Sequence, residues 1–267
     1  MRTSQILKKI GRGDPALGVT LHLTDSSLFE MVGLMGFDGV WMDMEHHFYS
    51  LDVAADMMRA ARVGGADIVA RPAKGEFSRL SRMLEAGATG IMYPRCESPA
   101  EAAEVVKWAK FAPLGRRGFD GSGPDVPYLM TPIAEYLQHA NNETFVIIQL
   151  EEEAAIRQAA EIIAIPGVDM LMLGPADFSI LSGFPGEFDD PRIAAAIETV
   201  AAAARQAKKH WAATCGTPEQ ARRMVELGAR LVFHGADIVF VKQSLDAIKA
   251  TFEQELGFRF RNQDSNQ

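Results

Sequence analysis

The chain has 267 residues, 48% hydrophobic and 23% charged, with a net charge of −8. That composition suits a globular protein with a full core, and the acidic balance argues against binding a phosphate backbone as the main task. No apolar run approaches the roughly 18 residues of a membrane span.

The first ten residues lack the apolar stretch of a signal peptide. Cys96 and Cys215 stand far apart, outside any zinc or disulfide spacing. A reducing, cytoplasmic setting is the expectation.

Residues 4–10 carry apolar side chains at helical spacing, and Gly11, Gly13 and Pro15 then break the pattern. Residues 16–23 read as a first strand. Thr24-Asp-Ser-Ser supplies N-cap chemistry for a helix to about Met35. The second strand, residues 37–44, runs through Val40, Trp41 and Met42 and ends among Asp43, Glu45 and His46. Burying a carboxylate or an imidazole is costly unless it is paired or solvated. This strand should therefore open into a polar cleft.

A helix over 51–63 is closed by Gly64-Gly65, and Asp67-Ile-Val-Ala-Arg71 forms a third strand stopped by Pro72. A helix over 76–85, a strand over 90–94 and an Ala-rich helix over 98–110 follow. The rhythm then pauses. Residues 113–142 are rich in Gly and Pro, with one helix expected near 133–140; a loop this long is usually functional or mobile. Strands over 144–150, 168–173, 211–214 and 231–233 complete a set of eight. Helices are expected over 153–163, just after Gly174, and over 192–208, 218–227 and 238–252.

Short apolar strands without alternation indicate parallel strands covered on both faces. Eight of them alternating with helices predict an α/β fold, a (β/α)8 barrel. No Gly-x-Gly-x-x-Gly follows the first strand, which disfavours a doubly wound sheet. Residues 1–255 are read as one barrel domain with a loop insertion at about 113–142, and 256–267 as a polar tail expected to fray.

The C-terminal ends of barrel strands form the active face. That face receives His22, then Asp43, Glu45 and His46, then Arg71, Gln149, Glu151 and Asp177. Each has a plain alternative. His46 could be a hydrogen-bonded rim histidine with Asp43 as its partner. Glu151 could be a solvated helix start, Asp177 an N-cap, and Arg71 a plug in the barrel mouth. Of the other histidines, His234 could line the cleft, His47 should point away from His46, and His139 and His210 sit in surface segments. The strand methionines Met42, Met44, Met92, Met170 and Met172 read as packing.

Six motifs in order resemble the HpcH/HpaI aldolase family, related to citrate lyase β-type enzymes. They are Trp41-Met-Asp-Met-Glu-His46, Val69-Ala-Arg-Pro72, the run from Glu85 to Pro94, Pro113-Leu-Gly-Arg-Arg-Gly118, Ile148-Gln-Leu-Glu151 and the run from Gly167 to Ser179. The resemblance covers roughly residues 15–245. It implies a TIM barrel of the pyruvate/phosphoenolpyruvate-enzyme type and a class II aldolase. Such an enzyme cleaves a 4-hydroxy-2-oxo acid reversibly to pyruvate and an aldehyde through a metal-stabilised pyruvate enolate.

In that reading Glu151 and Asp177 hold a divalent metal, Mg²⁺ or Mn²⁺, with Co²⁺ or Zn²⁺ as further options. Arg71 stabilises the enolate, and His46, oriented by Asp43, moves the 4-hydroxyl proton. Glu45 holds Arg71, Gln149 assists at the metal, and the amides of Ala176 and Asp177 receive pyruvate's carboxylate. The resemblance also implies a homo-oligomer, a hexamer with exchanged C-terminal helices, while the acidic charge and the lack of an apolar span predict no nucleic-acid or membrane partner.

Two departures bear on substrate choice: Met44 stands where the family commonly has Gly, and residues 119–128 replace the usual loop of the aldehyde-side pocket. A citrate-lyase-like or malyl-CoA-lyase-like enzyme, an oxaloacetate-type decarboxylase, and a catalytically silent barrel that only binds an oxo acid are the other readings. A Schiff-base aldolase is disfavoured because no lysine sits within an apolar strand.

Overall fold

The structure is a computed structural model and describes residues 2–261. Its strands are β1 (Ala16–Leu21), β2 (Gly39–Asp43), β3 (Asp67–Arg71), β4 (Gly90–Tyr93), β5 (Phe145–Leu150), β6 (Met170–Leu173), β7 (His210–Cys215) and β8 (Leu231–Ala236). They close into a barrel in sequence order, and β8 pairs in parallel with β1. The (β/α)8 expectation holds.

Helices cross between the strands where the periodicity places them, with one exception. The helix expected over 153–163 is two pieces, Glu153–Arg157 and Ala159–Ala164, because Gln158 adopts φ −97° and ψ 11° between them. His210, expected on the surface, is the first residue of β7.

Alternation along the strands separates two cores. Trp41, Val69, Met92, Ile147, Met170, Met172 and Phe233 fill the barrel interior. Val40, Met42, Ile68, Ile91, Ile148 and Leu171 face outward into the layer beneath the helices. Met44 joins that outer layer at 4% exposure. Its side chain therefore packs behind β2 and leaves the barrel mouth to its neighbours.

The floor of the barrel is the helix Gln5–Ile10, which adds Ile6 and Ile10 to the interior cluster. Asp67, fully buried, accepts hydrogen bonds from Ser4 Oγ at 2.6 Å and the Ile6 amide at 2.9 Å. Burial pushes the Asp67 carboxyl up, against the pull of the Arg2 charge.

The segment 113–142 contains a single turn, Pro127–Leu129, before the helix Ile133–Glu143. It connects a helix end to the start of β5, so it lies at the strands' N-terminal ends. There Arg117 pairs with Asp125 at 2.8 Å, and Pro124 O accepts from Arg62 at 3.4 Å. Within one chain this loop is at the opposite end of the barrel from Glu151.

The last helix, Asp237–Leu256, buries only Asp237 and exposes Ile238, Val241, Leu245, Ile248 and Phe252. Of the polar tail, residues 257–261 are non-helical and 262–267 lie outside the described residues. No helix among the described residues is long and apolar enough to cross a membrane.

Candidate active site

Strand alternation carries the interior ladder straight into the site. Trp41 leads two residues on to Asp43, Val69 leads to Arg71, and Ile147 leads to Gln149 and then Glu151. In the β2–β3 register Asp43 stands directly beside Arg71. Arg71 Nε donates to Asp43 Oδ1 at 2.9 Å and Nη2 donates to Oδ2 at 2.7 Å, a two-pronged ion pair. Nη1 donates to Gln149 Oε1 at 3.4 Å, and Gln149 Nε2 donates to Glu151 Oε1 at 2.8 Å. The Arg95 amide donates to Glu151 Oε2 at 2.8 Å. A hydrogen-bonded chain thus runs across the mouth from β2 to β5.

Two further contacts fix Arg71. Its guanidinium lies over the Trp41 ring, 4.7 Å from the centroid, and Glu45 Oε2 is 3.4 Å from its Nε. Glu45 Oε1 is 3.2 Å from Arg95 Nη2. Burial pushes the Asp43 carboxyl up, but the hydrogen bonds and charge of Arg71 outweigh it and hold Asp43 below its ordinary value.

Glu151 is the reverse case. Burial first, and the charge of Asp177 second, push its carboxyl up to about 7. Asp177 sits in the first turn of the helix Pro175–Leu181, and no side chain caps that helix. Gly174, just before it, presses on Glu151: a Cβ there would lie 2.0 Å from Glu151 Oε1. A buried carboxylate that feels the charge of a second one suits a divalent cation with oxygen ligands. The residues present fit Mg²⁺ or Mn²⁺.

His46 is placed differently from the expectation. Its side chain is 56% exposed, its Nε2 is 3.5 Å from Glu45 Oε2, and only its amide approaches Asp43, at 3.5 Å. Asp43 is in register with Arg71 inside the barrel, whereas His46 lies past the strand end on a loop. The carboxylate beside the His46 ring is therefore Glu45.

Sequence reasoning missed Arg95 and Asp237. Arg95 follows β4 in a left-handed conformation, φ 45°, and reaches both Glu45 and Glu151. Its position past a strand end was the available signal. Asp237 opens the last helix and accepts from the amides of His22 at 2.9 Å and Leu23 at 2.7 Å. His47 packs on His22, with ring centroids 4.2 Å apart. His234 Nδ1 is engaged by Cys215 O at 2.8 Å, and His139 Nε2 by Arg2 O at 2.9 Å. Lys74 donates to Arg95 O at 2.7 Å and pairs with Glu97 and Glu101, while Lys242 pairs with Asp246 on the last helix.

A closed parallel barrel whose arginine and carboxylates converge at the C-terminal mouth defines a (β/α)8 enzyme scaffold. Residues 17–243 match the HpcH/HpaI aldolase/citrate lyase family. A hydroxypyruvate/pyruvate aldolase of Agrobacterium fabrum is 31% identical over 244 residues, covering 91% of each chain. A 4-hydroxy-2-oxo-heptane-1,7-dioate aldolase of Shigella flexneri is 28% identical over 254 residues, 95% of each chain. The crystal structure of an HpcH/HpaI aldolase from Desulfitobacterium hafniense superposes with a TM-score of 0.88 at 26% identity, covering 95% of this chain and 98% of the other.

The chain belongs to the HpcH/HpaI aldolase/citrate lyase family. It is an enzyme of the carbon–carbon lyase class.

Proposed function

We propose that the chain is a metal-dependent class II aldolase that cleaves a 4-hydroxy-2-oxo acid reversibly to pyruvate and an aldehyde. The observation that carries this reading is the buried Glu151 carboxylate, under the charge of half-buried Asp177, joined through Gln149 to the fixed guanidinium of Arg71. Glu151 and Asp177 would hold a divalent cation, Mg²⁺ or Mn²⁺, which supplies Lewis acidity at the 2-oxo acid. The names of the two relatives, both aldolases of oxo acids, support the substrate class.

The remaining chemistry falls to side chains. His46, on its exposed loop, takes the proton from the 4-hydroxyl, directly or through a water. The C3–C4 bond breaks as C4 becomes an aldehyde carbonyl, and the electron pair moves toward the 2-oxo oxygen. Arg71 faces that oxygen and stabilises the charge developing there, and its pairing with Asp43 removes the cost of orienting it during reaction. Protonation at C3 then gives pyruvate. Gln149 spans Arg71 and Glu151 and keeps the two halves in register. The uncapped amides of Ala176 and Asp177 receive pyruvate's carboxylate. The exposed apolar side of the helix Asp237–Leu256 is the surface on which copies of the chain would assemble, in the hexamer the resemblance implies.

Mn²⁺ binding to Glu151→Ala and Asp177→Ala tests the ligand assignment. Both variants should lose the ion while retaining their barrel circular dichroism. Normal Mn²⁺ affinity in both would refute it.

A further inference from the structure

Two imidazoles beside this site take no part in the proposed reaction. His22 ends the first strand's run, His47 lies on the loop after β2, and their ring centroids are 4.2 Å apart. One ligand atom from each of His22, His47 and Asp43 lies within 4.8 Å of the other two. Two imidazoles and a carboxylate are a donor set that favours borderline transition metals over Mg²⁺ or Ca²⁺.

The surroundings prepare His22 for coordination. Asp237, whose side chain is 3% exposed, has its Oδ1 3.1 Å from His22 Nδ1. The Asp237 carboxylate is itself fixed by the amides of His22 at 2.9 Å, Leu23 at 2.7 Å and Ile238 at 2.8 Å. A carboxylate that accepts from one ring nitrogen sets the tautomer, leaves the other nitrogen its lone pair and orients the ring, as in many metal sites. Asp43 also has capacity. Its Oδ1 accepts from Arg71, the Glu45 amide and, at 3.5 Å, the His46 amide, but Oδ2 accepts only from Arg71, at 2.7 Å. A carboxylate oxygen offers two lone pairs, so one on Oδ2 remains for a cation. Zinc bonds of ~2.0–2.1 Å in a tetrahedron put ligand atoms about 3.3 Å apart. The half-buried His47, on its loop, is the ligand that closes that gap.

We propose that His22, His47 and Asp43 form a second cation site, selective for imidazole-preferring ions such as Zn²⁺ and separate from the oxygen-ligand pair Glu151 and Asp177. An ion there shares Asp43 with Arg71 and loosens the guanidinium. If Arg71 acts as proposed above, Zn²⁺ is then inhibitory where Mg²⁺ or Mn²⁺ activates.

The test is Zn²⁺ binding to the chelator-stripped, full-length protein, followed by calorimetry and by zinc-edge X-ray absorption. The wild-type protein should show a site whose absorption spectrum carries imidazole scattering. The His22→Gln/His47→Gln double variant should lose that site, at least 100-fold in affinity. Asp237→Asn should weaken it about 10–100-fold, the usual effect of removing a histidine's orienting carboxylate. Glu151→Gln should leave it intact, which separates this site's failure from failure of the proposed aldolase site. An oxygen-only shell around zinc in the wild-type protein overturns the proposal without any variant. So does a double variant that remains folded and binds Zn²⁺ as the wild type does.

Discussion

The Arg71 guanidinium meets Asp43, Glu45, Gln149 and the face of Trp41, so its position is set before any substrate arrives. Lysine would keep the charge but lose the fork that Asp43 and Gln149 grip together. Arg71→Lys should therefore lower kcat by about 10²–10³-fold, the usual loss when one transition-state donor is removed. Steady-state kinetics on the folded variant checks this.

Asp43 also carries a stability signature. Its folded pKa lies below the ordinary value, so its contribution is present above about pH 4 and fades as pH falls through the folded pKa. Asp43→Asn should cost about 1.5–3 kcal/mol at neutral pH, because buried Arg71 keeps Glu45 but loses its two-pronged carboxylate. The variant should also lose less stability than the wild type on acidification below pH 4. Urea melts from pH 7 to pH 2 would show both effects. Residue types at strand ends were readable from the chain. That Asp43 as well as Glu45 pairs with Arg71 was not, because that depends on the register of β2 against β3 and on where the loop turns.

At the level of elements, the strands were legible because each is an apolar run that a parallel barrel covers on both faces. Their ends were less so: β8 continues through His234, Gly235 and Ala236, which carry no strand-like pattern. The break at Gln158 was invisible, since neither Gly nor Pro marks it. Gly174 shows an element acting on the site. It links β6 to the helix Pro175–Leu181, and its bare Cα lets the Glu151 carboxylate lie against that junction. Gly174→Ala should displace Glu151 and weaken Mn²⁺ binding about 10–100-fold, as changes just behind metal ligands do, with the fold preserved. Calorimetry with Mn²⁺ reports this, and unchanged affinity would mean that the junction does not position Glu151.

For the whole molecule, the last helix is the feature a single barrel leaves unexplained. It presents Ile238, Val241, Leu245, Ile248 and Phe252 to solvent, a surface that association would bury. Sedimentation should show an assembly larger than the monomer, and Leu245→Glu with Phe252→Glu should dissociate it. Purified protein should release pyruvate from a panel of 4-hydroxy-2-oxo acids, lose that activity in EDTA and regain it with Mg²⁺ or Mn²⁺. Turnover that survives chelation, or that borohydride abolishes in the presence of substrate, would contradict the assignment of Glu151 and Asp177 to a metal-dependent aldolase.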